Sequence, residues 1–190
     1  MEVSVIPNII NEDEILLKAE ESLEVQNTPY FCAVGRLEKV KNYKLLIDAF
    51  HEFHKIYSNY NLIILGEGKL FEELNNYISE LKADKYIYLV GFKENPYKYI
   101  KNSVGLIQSS HSESFSYVLA EAAILGIPSV STITQGSKFM SKYFTIKEVE
   151  HNKDALVEGI KEIVNKKIDY VTFKLNEDIE SKFNEIFNIE

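Results

Sequence analysis

Four charged residues stand where chemistry could be done. Arg36 follows an apolar run and a glycine in CAVGRLEKVKN (32–42), and it is the only arginine of the chain. Lys41 lies five residues on, near the first turn of the helix expected next. Cations at a helix start oppose its dipole, so an anionic ligand would supply the missing compensation. Arginine offers a planar fork for two phosphate oxygens and lysine a mobile point charge. A pair of solvated surface cations is the alternative, and Lys39 and Lys44 read as that.

Glu113 and Glu121 are spaced E-x7-E in HSESFSYVLAEAAILG (111–126). Glu113 falls in the loop before a helix and Glu121 about a turn and a half into it. The helix N-terminus lies between them, with free backbone N–H groups at Ser114, Phe115 and Ser116. One carboxylate can face a sugar hydroxyl or a developing positive charge, the other the paired hydroxyls of a ribose. A helix-start charge and a solvated face are the alternatives. Glu121, however, is followed by Ala122, Ala123, Ile124 and Leu125, and a carboxylate in so apolar a helix calls for an explanation.

These residues are placed by short β-rich runs alternating with helices. YFCAV (30–34), NLIIL (61–65), YIYLV (86–90), VGLIQ (104–108) and PSVSTI (128–133) are nearly continuous in apolar residues, which suits strands covered on both faces. Helices are expected between them: one with Leu45, Leu46, Ala49, Phe50, Phe53, Ile56 and Tyr57 at helical spacing, then 69–82, 116–125 and 152–166. The succession argues for an α/β fold, a Rossmann-like parallel sheet flanked by helices, whose ligands gather at the carboxyl ends of the strands. There stand Gly35 and Arg36, Gly66 and Gly68, Gly91 and Phe92, and the 109–113 loop; glycines at such ends let a ligand approach the backbone, or simply end strands in turns.

A chain of 190 residues, 45% apolar, can bury a core without disulfides, and Cys32 reads as a small buried hydrophobe. The net charge of -8 disfavours a nucleic-acid role resting on a broad basic surface. With no spanning apolar run and no signal-like start, a cytoplasmic protein is expected, membrane-associated if part of something longer. His51 and His54 are three apart without a third ligand, and no Asp-x-Asp element occurs, so no metal site is expected. His111 reads as a loop-packing residue with a role toward a sugar as the alternative, and Tyr97 and Tyr99 as core and surface residues.

Taken together, VGRLEKVKN, LIILGEG, GFKENPYKYI, SSHSESFSYVLAEAAILGIPSVST and Gly136 resemble the carboxyl-terminal, nucleotide-sugar-binding domain of the family 4 (group 1) retaining glycosyltransferases of GT-B fold. The resemblance covers about residues 3–165, and VIPN (5–8) resembles the segment in which those enzymes cross between domains. It implies an inter-domain crossing segment and helix at 1–28, a donor-binding domain at 29–170, and a helix at 171–190 that returns toward an N-terminal domain or packs on its own sheet. It implies that Arg36 and Lys41 hold the donor diphosphate, Glu121 the ribose and Glu113 the transferred sugar, with Arg36, Lys41 and Glu113 the catalytic set. Gly35, Gly66, Gly68, Val90, Gly91, Phe92, Ser114, Phe115 and Ser116 would complete the donor site. The expected activity is transfer of a sugar from a nucleotide diphosphate, a UDP-sugar for instance, to a glycan, lipid-linked or small acceptor, without cofactor or divalent metal. A GT-B enzyme sets two such domains face to face, so the chain alone is expected to be an inactive fragment or a split-enzyme subunit. A non-catalytic module binding a sugar nucleotide or another phosphorylated ligand is the alternative. After Gly136, SKFMSKYFTIKEVEHNKD departs from the family pattern.

Overall fold

The computed structural model describes residues 10–23 and 28–165. The crossing segment expected at 5–8 and the helix expected at 171–190 lie outside the described residues.

Among the described residues six parallel strands form one sheet: β1 (Tyr30–Val34), β2 (Asn61–Leu65), β3 (Ile87–Leu89), β4 (Gly105–Gln108), β5 (Ser129–Thr132) and β6 (Ile146–Val149), in the order β3-β2-β1-β4-β5-β6. Central β1 pairs Cys32 with Ile63 of β2 on one side and with Leu106 of β4 on the other. Because successive side chains of a strand point to opposite faces, Phe31 and Ala33 feed one core, and Tyr30 and Cys32 the other. Cys32 is fully buried, and burial pushes its thiol well above the ordinary range.

The first core lies under α2 (Tyr43–His54), α3 (Phe71–Glu80) and α7 (Lys153–Val164). Phe31 meets Phe50 and Phe53 edge to face, at ring-centroid distances of 6.0 and 5.7 Å, a geometry that adds to the roughly 1.5–3 kcal/mol for burying each such ring. The second core lies under α1 (Glu12–Ala19), α4 (Tyr97–Lys101), α5 (Tyr117–Ile124) and α6 (Gln135–Met140). Helix α1 falls within the 1–28 stretch where a helix is expected. Asn11 accepts from the Glu14 N–H at 3.1 Å, acidic residues fill the first turn, and Ile15 and Ala19 face inward.

Several expectations are corrected. Helix α2 ends at His54, so Ile56, assigned to its apolar stripe, is 64% exposed. Strand β6 is absent from the sequence reading because it is an edge strand in which only Ile146 and Val149 are apolar; Lys147 and Glu148 between them disguise it. Helices α4 and α6, five and six residues long, are too short to show a period. Helix α6 occupies the stretch where the family pattern lapses, and a capping box between Thr134 and Ser137 starts it.

Candidate functional site

The strand order reverses at β1 and β4, where the crossovers leave to opposite faces and a crevice opens beyond the strand ends. From β1 the chain runs through Gly35 and Arg36 into a 3₁₀ turn, Lys39–Lys41. Asn42, left-handed at φ 50°, then redirects it into α2, so Lys41 precedes that helix instead of lying in its first turn. The β4 loop clasps this turn. The Ser109 hydroxyl donates to the carbonyls of Lys41 (2.9 Å) and Asn42 (3.1 Å), and the His111 N–H to the carbonyl of Val40 (2.7 Å).

The clasp brings together two residues 72 positions apart: Lys41 Nζ donates to Glu113 Oε1 at 2.5 Å. Their side chains are only 21% and 15% exposed. The Ser110 hydroxyl donates to the same carboxylate oxygen at 2.6 Å, and the Gly136 N–H holds the Glu113 carbonyl at 2.7 Å. A Cβ on Gly136 would stand 2.9 Å from the Phe115 carbonyl carbon, so only glycine lets α6 approach this loop so closely.

Beside the pair, a cleft of about 700 Å³ runs along the ends of β1 and β2. Gly35, Arg36, Gly66, Gly68 and Phe92 line it, with Glu67 and Tyr97. Arg36 reaches out at its mouth, its side chain 77% exposed and 3.2 Å from Glu38. The glycines serve the protein itself before any ligand: a Cβ on Gly66 would lie 1.9 Å from the Gly35 carbonyl oxygen, at a φ of +146°. Val90 is partly buried against the second core, and neither it nor Gly91 lines the cleft. The Gly91 carbonyl accepts from the Gly66 N–H at 2.9 Å.

Glu121 faces inward from α5. Desolvation raises its carboxyl to about 7, and no cation among the described residues pairs with it. Its charge reaches Tyr97, whose hydroxyl is pushed up first by burial and then by Glu121. Tyr97 is therefore a cleft residue, which sequence reasoning missed because the helix that aims it, α4, was not expected.

At the start of α5, Ser116 adopts φ 66° and gives no side-chain cap. Ser114 is exposed, and the Phe115 ring packs between Tyr117 (4.8 Å) and Phe139 (5.6 Å). His111 stacks on His151 at 6.0 Å, as a loop-packing residue does, and His51 and His54 gather around Tyr86.

This sheet order, with side chains from the β1 and β4 loops meeting at the reversal, defines a Rossmann-like domain of the kind that forms the carboxyl-terminal half of a GT-B glycosyltransferase. The chain belongs to the glycosyl transferases group 1 family, whose model matches residues 16–182. It is 33% identical over 134 residues to an uncharacterized glycosyltransferase of Methanocaldococcus jannaschii, covering 67% of this chain and 33% of that protein. It is 32% identical over 160 residues to the N-acetylgalactosamine-N,N'-diacetylbacillosaminyl-diphospho-undecaprenol 4-alpha-N-acetylgalactosaminyltransferase of Campylobacter jejuni, covering 83% and 43%. The chain thus spans less than half the length of either relative. Among solved structures, the lipopolysaccharide outer core galactosyltransferase WaaB superposes with a TM-score of 0.70 at 22% identity, over 87% of this chain and 51% of that one. HepE of Anabaena in complex with UDP-glucose superposes at 0.67 and 19% identity, over 74% and 40%.

Proposed function

We propose that the chain is the donor-binding half of a retaining glycosyltransferase that moves a sugar from a nucleoside diphosphate to a glycan or lipid-linked acceptor. One observation carries the reading: the Lys41 ammonium and the Glu113 carboxylate, from the β1 and β4 loops, meet at 2.5 Å at the strand-order reversal. A cation and a carboxylate side by side suit a substrate that is anionic at its diphosphate and hydroxyl-bearing at its sugar.

As the bond from the anomeric carbon to the diphosphate oxygen breaks, positive charge develops on the sugar ring and negative charge on the leaving phosphate. Lys41, Arg36 and the uncapped start of α5 supply the countercharge for the phosphate, so the step calls on no divalent metal. Glu113, oriented by Lys41 and Ser110, holds the sugar. Glu121 is desolvated without a cation to pair with it among the described residues, and the two hydroxyls of a ribose would be a fitting partner. Phe92 and Tyr97 flank the cleft where a base would lie. The acceptor would bind a second, facing domain, in keeping with this chain's covering only 43% of the Campylobacter relative.

The test is thermal unfolding with UDP, GDP and ADP and their sugars. Saturation at about 100 times the dissociation constant adds roughly 2.7 kcal/mol. Binding is expected in the native chain and lost in Arg36→Ala and Glu121→Ala; absence of any shift at millimolar nucleotide sinks the donor reading.

A further inference from the structure

We propose that Gln108 is a positioning residue for this donor site: it holds the loop that carries Glu113, and the start of α5, in their ligand-ready geometry. The inference rests on the donor reading above.

Gln108 ends β4 in a strand otherwise apolar, and its side chain is only 6% exposed. Its amide oxygen accepts from the Ser116 hydroxyl at 2.5 Å, and its amide nitrogen donates to the Ser131 hydroxyl at 3.0 Å. Ser131 donates in turn to the Thr132 carbonyl (2.8 Å), and the Thr132 hydroxyl to the Ser110 carbonyl (2.7 Å). Every side chain in this chain of bonds is at most 6% exposed. Ser110 and Ser116 are the two ends of the loop around Glu113, so one buried network on β4 and β5 pins both.

Ser116 shows what the network achieves. It sits at φ 66° and ψ 67°, a left-handed conformation that costs any residue with a Cβ. Serine before a helix ordinarily turns its hydroxyl onto the first-turn N–H groups. Here the hydroxyl points inward to Gln108 and makes no side-chain cap, so the geometry at the start of α5 is set by the buried amide. An apolar side chain would fill the end of β4 without the desolvation cost of an amide. The amide instead ties the strand end to one loop geometry, as fully satisfied buried networks do.

The test is a pair of comparisons, Gln108→Leu in the native chain and in a Ser116→Gly background, where glycine adopts φ 66° freely and no hydroxyl needs a partner. Calorimetry with UDP, GDP and ADP gives affinities, hydrogen exchange of residues 110–118 reports the loop, and melting reports overall stability. In the native chain Gln108→Leu is expected to weaken nucleotide binding about tenfold and to speed exchange across 110–118. In the Ser116→Gly background the same change is expected to alter affinity less than about twofold. A Gln108→Leu protein that melts earlier but keeps native affinity and loop protection overturns the proposal, as does an equal loss in both backgrounds. Failure of the native chain to bind any nucleotide overturns the donor reading alone, and the exchange comparison then decides the role of Gln108.

Discussion

At the residue scale, two cations of the candidate site are held by carboxylates of the protein itself, whereas Glu121 has no cation beside it among the described residues. Lys41 is held by Glu113 and Arg36 by Glu38, so a diphosphate bound as proposed must take both cations from carboxylates already bound to them. Removing the buried competitor should help the phosphate: Glu113→Gln is expected to bind free nucleoside diphosphate about tenfold more tightly, measured by calorimetry, because the charge opposing the ligand at Lys41 is gone. Unchanged affinity would mean that Lys41 does not meet phosphate. Arg36 tests the other contact. Arg36→Lys keeps the charge and loses the fork, and a loss of about tenfold in affinity, on the order of 1.4 kcal/mol, is expected; equal affinity would return Arg36 to the surface. Glu121 is where the proposed function opposes stability. Its folded pKa of about 7 lies above the ordinary 4.5, so the native state holds the proton more tightly than the unfolded chain does. The stability from this group is fully present below about pH 4.5 and is lost as pH rises through 7, a loss of at most about 3 kcal/mol. Glu121→Gln should therefore melt higher than the native chain at pH 8 and alike at pH 4.5, while binding nucleotide more weakly. Melting curves that stay parallel at the two pH values would contradict the burial of that carboxyl.

At the scale of elements, the candidate cleft depends on loops that touch one another. Gly66 lies against Gly35, and the Leu37 N–H donates to the Glu67 carbonyl at 2.8 Å, so the β1 and β2 loops form one layer. A methyl group on Gly66 has no space and an unfavourable φ, and Gly66→Ala is expected to cost several kcal/mol in chemical denaturation. A native-like midpoint would show that the loops can part cheaply. The β4 loop adds the second layer by clasping the 3₁₀ turn through Ser109 and His111. Lys41 owes its position to that clasp and to left-handed Asn42, and the apolar runs of the flanking elements reveal neither.

At the scale of the whole molecule, the sheet separates two cores, and the site opens beyond one end of it. Phe50 belongs to the core under α2 and does not line the cleft. Phe50→Ala is expected to remove about 3–5 kcal/mol of stability and to leave nucleotide affinity unchanged below the melting transition, by calorimetry. A parallel loss of affinity would show that packing under α2 tunes the site. Among the described residues no helix is long and apolar enough to cross a membrane.

The sequence by itself determined the parallel α/β class, five of the six strands, and the short set of charged and glycine residues worth testing. Each of those is a local property: continuous apolar runs need cover on both faces, and an isolated arginine or a carboxylate in an apolar helix is conspicuous where it stands. Only the tertiary structure decided which of them meet. It joined Lys41 to Glu113 across 72 positions, turned Tyr97 into the cleft on a helix too short to show a period, and gave Gly66 to the packing of its neighbour. It also placed Gln108, which ends what reads as an ordinary apolar strand, beneath the loop of Glu113. Such pairings depend on strand order and loop contact, which connect residues distant in the chain and leave no period or composition behind.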